Sequence, residues 1–181
     1  MVKKPANDYE KSNSIESVDS KRFSTKYFSS LLGQTEDPKK RQKAAQELID
    51  HLSNLYKINS PKVMVTERPR LSNDRGQTYG RYRFYQNDPR GDTIIIYNTT
   101  AKTGKPVSIK SFADTLLHEF THHYDTRYLK IKSAHTAGFY KRITSLKGHL
   151  SKEKIDTKII MNDMTSKPIY SLITTAQGGA G

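Results

Sequence analysis

Apolar residues recur every three or four positions along several stretches of the chain, the spacing that places them on one face of an α-helix. This pattern predicts helices over residues 27–32, 38–56, 111–129 and 133–150. Local signals mark two of the starts, because Asp37 precedes a proline at the first helical position and Ser111 is a candidate N-cap. Helices are therefore predicted on both sides of the middle of the chain.

Short runs of β-branched and aromatic residues between these helices predict three strands. They cover residues 63–66, 80–85 and 93–97. Turn-forming residues fill positions 86–92, so the second and third strands are expected to pair as an antiparallel hairpin. The combination predicts an α+β fold in which a small, mostly antiparallel sheet packs on the helices.

The periodicity divides the chain into three parts. Residues 1–37 are largely polar and are expected to be disordered or loosely docked, either covering a cleft or tethering the domain. Residues 38–150 carry the long helices and the strands and form the folded domain. Residues 151–181 are expected to be a C-terminal extension, with a short strand or docking segment at residues 158–161 and a flexible glycine-rich end.

Composition excludes several classes of protein. No window approaches the roughly 20 apolar residues that span a bilayer, and no apolar secretory signal is visible at the N-terminus. We therefore expect a cytoplasmic protein with no membrane partner. Since the chain has no cysteine, it has no disulfides, and any metal ion must be bound by His, Asp or Glu.

The net charge of +13 is concentrated in the predicted folded domain. Residues 38–150 hold 21 of the 31 basic and nine of the 18 acidic residues, a net charge of +12. Such a field favours DNA or another polyanion as a partner, and association with the nucleoid would follow. A surface that is merely rich in lysine is an equally open interpretation. The candidate polyanion-binding residues are Lys39, Lys40, Arg41, Lys43, Arg68, Arg70, Arg81 and Arg83.

The segment His118-Glu119-Phe120-Thr121-His122 has the pattern H-E-x-x-H inside a predicted helix. Residues four positions apart lie on one helical face, so His118 and His122 can approach one metal ion together. Glu119 lies about 100° around the helix, beside the ion, where it can reach a water bound to it. Apolar neighbours bury the motif, and buried His and Glu need partners. The motif therefore predicts one bound Zn²⁺ ion.

A catalytic zinc ion has a third protein ligand and keeps one position for water. His135 is the preferred candidate, because it stands at the start of the next predicted helix, which can return its imidazole to the first. The alternatives that stay open are Asp125, Glu153 and His149. Of these, Asp125 better suits a hydrogen bond to a ligand histidine or to the nearby chain. His123 is a poor ligand because it points about 100° away from His122.

These residues resemble a known family. The segment His118-Glu119-x-x-His122, followed after twelve residues by His135-Thr-Ala-Gly-Phe139, is similar to the SprT-like zinc metallopeptidases, whose pattern is HExxH, a later histidine and an aromatic four residues on. The resemblance covers about residues 94–150. It implies a compact zincin-like fold whose edge strand lines the substrate cleft. It also implies zinc held by His118, His122 and His135, with Glu119 as the catalytic acid/base.

Two features of the family bear on whether this chain acts on DNA. Many members carry a Cys-ligated zinc ribbon after the catalytic part, and this chain, without cysteine, has no such module. Eukaryotic relatives cleave proteins crosslinked to DNA, which extends the expected substrates to proteins on or near DNA.

The motif and the resemblance together predict a zinc metalloendopeptidase that hydrolyses protein substrates. An extended substrate is expected to pair with the edge of strand 93–97. Candidates for stabilising the oxyanion are Tyr140, Tyr124 and His149. Two alternatives stay open: a non-catalytic nucleic-acid-binding or scaffold module with a structural zinc ion, and a toxin or effector protease with a narrow target. An intact Glu119 disfavours the scaffold, since a purely structural site does not need it.

Overall fold

The computed structural model describes residues 7–67, 79–85, 91–100 and 103–151, and this part of the chain has an α+β fold. It contains five helices and one three-stranded sheet. In chain order the elements are α1 (Asp8–Ser14), α2 (Thr25–Leu32), α3 (Pro38–Tyr56), β1 (Lys62–Thr66), β2 (Gly80–Arg83), β3 (Thr93–Tyr97), α4 (Ile109–Arg127) and α5 (Ala137–Ser151). None of these helices is long and apolar enough to cross a membrane. The predictions for residues 152–181 lie outside the described residues.

Helix α3 begins and ends where the sequence predicts. The Asp37 carboxylate accepts hydrogen bonds from the backbone N–H groups of Lys39 and Lys40, at 2.8 and 3.1 Å. These bonds satisfy two of the donors that the first turn of a helix leaves without intrahelical partners. The proline after Asp37 has no N–H to satisfy, so the start of the helix is defined locally.

The starts of α4 and α5 differ from the predictions. Ser108, not Ser111, is the N-cap of α4, and its hydroxyl accepts a hydrogen bond from the Ser111 N–H at 3.1 Å. Two serines three residues apart give the same local signal, and the structure uses the first. Helix α5 starts at Ala137 instead of residue 133, so His135 lies in the preceding loop.

The sheet is mixed, with the strand order β1-β3-β2. Strand β3 pairs in parallel with β1 and antiparallel with β2, so the predicted hairpin is confirmed. The expectation of a mostly antiparallel sheet is wrong, because one of the two pairings is parallel. Strand β3 is central and has both edges paired. The expectation that a substrate pairs with the edge of residues 93–97 is therefore also wrong, and the edge strands are β1 and β2.

Side chains of α3 cover the outer edge of β1. The Gln46 Oε1 atom accepts a hydrogen bond from the Val63 N–H at 2.7 Å, and Gln42 Oε1 accepts one from the Val65 N–H at 2.9 Å. The glutamines are one helical turn apart and the valines are alternate residues of the strand, so the two spacings match. Two outward-facing donors of β1 are thereby satisfied within the domain.

Helices α3 and α4 pack on one face of the sheet. Val63 of β1 and Ile94 of β3 are buried there with apolar residues of both helices. Strand β2 can approach α4 closely because Gly80 lacks a side chain. A Cβ atom at this position would lie 2.6 Å from Thr115 Cγ2 and 3.0 Å from Glu119 Cγ. The packing therefore places Glu119 directly against β2.

The described part of the N-terminal segment, residues 7–37, contains helices α1 and α2 and packs on the domain, which corrects the expectation that residues 1–37 are disordered or loosely docked. Helix α1 packs against α5, and α2 packs against α3, α4 and α5. Val18, Phe28 and Leu31 are buried in the core. Periodicity did not predict α1 because this helix has no apolar stripe. It is held to α5 by hydrogen bonds from the Arg142 side chain to the carbonyl and hydroxyl oxygens of Ser12.

Candidate metal centre

Three histidine side chains converge beside the second half of α4. His118 and His122 lie one turn apart on this helix, and His135 comes from the loop before α5. The Nε2 atom of His118 lies 3.2 Å from that of His122 and 3.1 Å from that of His135. The Nε2 atoms of His122 and His135 are 2.9 Å apart. This cluster could hold a metal ion.

The spacing of the three Nε2 atoms fits a zinc ion. Zinc bonds to histidine at about 2.0–2.1 Å, so two nitrogen ligands of a tetrahedral site stand about 3.3–3.4 Å apart. Each edge of the observed triangle is shorter than this by less than about 0.5 Å. Imidazole lone pairs at these distances repel one another unless a proton or a cation lies between them. One divalent cation would satisfy all three.

Burial keeps the clustered imidazoles in the form that binds metal. It lowers the pKa of His118 to about 3, with a smaller contribution from His135, and lowers the pKa of His122 well below its usual range. Burial also lowers the pKa of His135. A metal ligand must offer an unprotonated nitrogen, so this environment removes the proton that would compete with the ion.

The ring of Phe139 lies against all three histidines. Its centroid is 5.1 Å from the ring centroid of His118, 4.5 Å from that of His122 and 5.2 Å from that of His135. Phe139 is fully buried, and it is the aromatic residue four positions after His135 in the sequence pattern. A rigid apolar ring at this position limits the orientations of the imidazoles.

A buried hydrogen-bond chain fixes the orientation of His122. The Ser133 hydroxyl donates to Asp125 Oδ2 at 2.9 Å, and its oxygen lies 2.8 Å from His122 Nδ1. Since the hydroxyl gives its one proton to the carboxylate, His122 must donate its Nδ1 proton to the Ser133 oxygen. The Nε2 atom of His122 then carries a lone pair that faces the other two histidines.

Glu119 lies beside the cluster with 3% of its surface exposed. Burial raises the pKa of its carboxyl to about 8, and the backbone N–H of Tyr82 and the charge of Arg81 oppose that shift. A Cβ atom at Gly80 would lie 3.0 Å from Glu119 Oε1, so β2 passes directly beside the carboxyl group. A carboxyl group with a pKa near neutrality can both accept and return a proton.

His123 belongs to a different network, which confirms the expectation that it points away from the cluster. Its Nε2 donates to the Asn59 carbonyl oxygen at 2.9 Å, and its Nδ1 lies 3.2 Å from Asp92 Oδ2. Arg127 donates to both carboxylate oxygens of Asp92, at 2.6 and 2.7 Å. This network joins α4 to the residue before β3, and it is structural.

The alternatives to His135 as third ligand lie elsewhere. Asp125 faces Ser133 rather than the three Nε2 atoms, which fits the hydrogen-bonding role predicted for it. His149 stacks on Phe23 with ring centroids 4.7 Å apart. Glu153 lies outside the described residues. Among the candidates in the described ranges, the structure brings His135 to His118 and His122.

The candidate oxyanion stabilisers differ in position. The Tyr140 ring lies beside the cluster, with its centroid 6.1 Å from that of His135 and 6.4 Å from that of His118, and burial raises the pKa of its hydroxyl. The Tyr124 hydroxyl instead accepts a hydrogen bond from the Asp19 N–H at 3.1 Å. A role for Tyr140 in stabilising an oxyanion stays a prediction.

The candidate polyanion-binding residues differ in their exposure to solvent. The exposed ones are Lys39, Lys40, Lys43 and Arg83, and Arg81 is half-buried. Arg68 and Arg70 lie outside the described residues. The prediction for Arg41 is wrong, because its guanidinium is buried and donates to the Asn98 side chain and to the carbonyl oxygens of Thr35 and Val107, at 2.7–2.9 Å. Arg41 therefore holds the start of α3 to the loops around it.

Sequence reasoning missed three residues that shape the site. Gly80 lets β2 reach Glu119, Ser133 orients His122, and Arg142 donates to Asp125 Oδ2 at 2.8 Å. A glycine in a predicted strand can signal that another group approaches the backbone closely, and Gly80, the first residue of the predicted strand, could have been identified in this way. Ser133 and Arg142 give no such signal, because their partners lie on other elements.

Comparisons with known proteins do not identify a family. No protein-family model, no curated protein and no solved structure matches this chain. The similarity to the SprT-like pattern therefore stays a prediction, and the functional interpretation depends on the geometry of the three histidines and Glu119.

Proposed function

We propose that this protein is a zinc-dependent metalloendopeptidase that hydrolyses peptide bonds of protein substrates. The observation that carries the proposal is the convergence of three Nε2 atoms within 3.2 Å of one another, beside a buried glutamate. His118, His122 and His135 would hold the ion. Zinc would supply Lewis acidity that lowers the pKa of a bound water from about 15.7 towards 7. Three protein ligands with one open position are typical of catalytic zinc sites.

Glu119 is the general base and acid in this proposal. Its carboxylate accepts a proton from the water that attacks the scissile carbonyl, and it returns a proton to the leaving amine. The pKa of about 8 supports this role, since a group that gains and loses a proton in each cycle works best with a pKa near the ambient pH.

Strand β2 is the best-placed element for binding an extended substrate. The Tyr97 N–H donates to the Tyr79 carbonyl oxygen at 2.9 Å, so Tyr79 directs its backbone groups at β3. The alternate residues Gly80 and Tyr82 direct theirs away from β3, towards the outer edge of β2, where the Tyr82 N–H already hydrogen-bonds to the Glu119 carboxyl group. A peptide paired along that edge would pass close to Glu119. This geometry supports a substrate that is unfolded or locally extended where it is cleaved.

Exposed lysine and arginine side chains support the proposal that the substrates are proteins on or near DNA. Lys39, Lys40 and Lys43 are exposed in the first two turns of α3, and Arg83 is exposed at the end of β2. Phosphate contacts from such residues would give affinity without reading sequence, and they would weaken steeply with salt.

Hydrolysis of casein tests the peptidase proposal. The zinc-loaded wild type should cleave it, and Glu119→Gln should retain zinc but lose activity by about 10²–10⁴-fold, because an amide cannot accept the proton. His135→Ala should lose both zinc and activity. His149→Ala is the matched control, since this histidine of α5 stacks on Phe23.

The results separate the proposal from its rival. Equal activity of Glu119→Gln and the wild type would remove Glu119 from the mechanism. Stoichiometric zinc whose removal unfolds the protein, together with no hydrolysis of any substrate, would identify a non-catalytic module with a structural zinc ion.

A further inference from the structure

Arg142 of α5 joins the N-terminal segment to the hydrogen bonds behind the metal centre. Its Nη2 donates to Asp125 Oδ2 at 2.8 Å and to the Ser12 hydroxyl oxygen at 3.0 Å. Its Nη1 donates to the Ser12 carbonyl oxygen at 2.7 Å and to the Ile15 carbonyl oxygen. Three of these four acceptors belong to residues 12–15. A fully buried cation therefore depends on the N-terminal segment for most of its hydrogen bonds.

The same hydrogen bonds continue from Arg142 to a histidine of the cluster. Asp125 Oδ2 accepts hydrogen bonds from Arg142 and from the Ser133 hydroxyl, and the Ser133 oxygen in turn accepts one from the Nδ1–H group of His122. Arg142 and Asp125 are 0% exposed and Ser133 is 7% exposed. Where water is excluded, each bond of such a chain is strong and constrains the orientation of the next group. The position of the His122 ring is thus linked to the position of α1.

Helix α1 fits closely against the first turn of α5. A Cβ atom at Gly138 would lie 2.5 Å from the Asn13 carbonyl oxygen and closer still to that of Ser12. The Ser12 hydroxyl oxygen lies 3.1 Å from that of Thr136. Because the contacts at Gly138 are with backbone atoms, any side chain there must displace residues 12–13 as a unit.

We propose that Arg142 and residues 12–15 set the affinity of the histidine cluster for its metal ion. Docked α1 supplies the acceptors that hold Arg142, Arg142 holds Asp125, and Asp125 holds the Ser133 hydroxyl that orients His122. Arg142 is a positioning residue and touches neither metal nor substrate. Displacement of α1 removes three of its acceptors, so the guanidinium must move and Asp125 moves with it. The N-terminal segment thereby regulates metal loading.

This inference rests on the metal centre of the proposed function and is independent of peptide hydrolysis. Its test is the zinc affinity of full-length protein, measured by competition with a chromophoric chelator. Groups that support a ligand histidine typically change metal affinity 10–100-fold, and Ser133→Ala should weaken zinc binding by about that factor. Ser133→Thr keeps the hydroxyl and should restore most of the affinity. Gly138→Ala displaces α1 and removes no hydrogen-bonding group, and it should weaken binding by about tenfold.

Lys141→Ala is the matched control. Lys141 of α5 pairs at 2.6 Å with Glu16, which follows α1, and both side chains of this pair are exposed, unlike the buried hydrogen-bond chain through Arg142. The control should bind zinc like the wild type. Circular dichroism verifies that each variant is folded at the titration temperature, and Co²⁺ absorption spectra report on the ligand geometry. A merely structural role for α1 would lower the melting temperature of Gly138→Ala and leave its zinc affinity unchanged.

Each outcome decides the proposal. Wild-type zinc affinity in either folded Gly138→Ala or folded Ser133→Ala overturns it, and so does a wild-type protein that binds no zinc. If Gly138→Ala does not fold, Ser12→Ala removes one acceptor of Arg142, and unchanged affinity in that variant overturns the role of residues 12–15. A protein that shows the expected order of zinc affinities but never cleaves casein refutes the peptidase alone and supports the coupling.

Discussion

Replacing Gly80 by alanine tests whether the contact between β2 and α4 positions Glu119. The added Cβ would lie 2.6 Å from Thr115 Cγ2 and 3.0 Å from both Cγ and Oε1 of Glu119. Carbon atoms in favourable contact stand about 3.5–4.0 Å apart, so a group must move by about 1 Å. Thr115 is buried and its hydroxyl donates to the Ser111 carbonyl oxygen at 2.8 Å, which leaves it little freedom. Glu119 or β2 must therefore make most of this movement.

The expected effects of Gly80→Ala are large enough to measure. Overpacking of a buried contact costs about 1–3 kcal/mol of stability, which lowers the melting temperature by roughly 2–12 °C in a domain of this size. A displacement of about 1 Å at a reacting group costs about 100-fold in rate. The three atoms nearest to the added methyl belong to Thr115 and Glu119 and not to a histidine, so zinc content should stay at the wild-type level.

Casein hydrolysis by the zinc-loaded variant and its thermal unfolding are the two measurements. Gly33→Ala is the control, because a Cβ there would lie 3.6 and 3.7 Å from its nearest neighbours, which is ordinary van der Waals contact. The control should keep the activity of the wild type. Wild-type activity and stability in Gly80→Ala would refute the reasoning that this contact positions Glu119.

Three further predictions concern stability and binding. In metal-free protein, the raised pKa of Glu119 gives stability that is fully present below its ordinary value of 4.5 and is lost as the pH rises through about 8. Between pH 5 and 8, the free energy of unfolding in urea should therefore fall by about 3–4 kcal/mol more in the wild type than in Glu119→Gln, and parallel profiles would contradict the shift. Phe139→Ala should cost about 3–5 kcal/mol in urea unfolding and weaken zinc binding, and an unchanged zinc titration would exclude a role in orienting the rings. Replacing Lys39, Lys40 and Lys43 together by alanine should reduce the dependence of log K on log salt for DNA binding by about 2–3, measured by fluorescence anisotropy. An unchanged slope would exclude these lysines from the interface.

Elements with their own local signals could be predicted from the sequence. Helix α3 carries both of its start signals within two residues, an aspartate cap and a proline. His118 and His122 share a face of α4 because of their spacing alone, and this spacing is independent of the rest of the fold. His135 could be chosen as the third ligand by elimination, because the chain has few other acidic residues and histidines after the motif. The loop that carries it was wrongly predicted as part of a helix.

Features that depend on distant partners could not be predicted in this way. The parallel pairing of β1 with β3 joins residues about 30 positions apart, and no turn signal connects them, so the central position of β3 was missed. Helix α1 is docked by Arg142, and two of the acceptors of Arg142 are backbone carbonyl groups, which every residue type possesses. Hydrophobic periodicity has no means of detecting such a contact.

The two glutamines of α3 have a consequence for how the protein meets other chains. An exposed strand edge is a template on which another polypeptide can add a strand, and this is a common route to aggregation. At β1 the side-chain amides of Gln42 and Gln46 already occupy the backbone donors that such an addition would use. An incoming chain would have to break both bonds first. Of the two edges of the described sheet, β1 therefore resists intermolecular strand addition. Under the proposed function a substrate would add at β2, where Glu119 accepts a hydrogen bond from one outward-facing donor, the Tyr82 N–H.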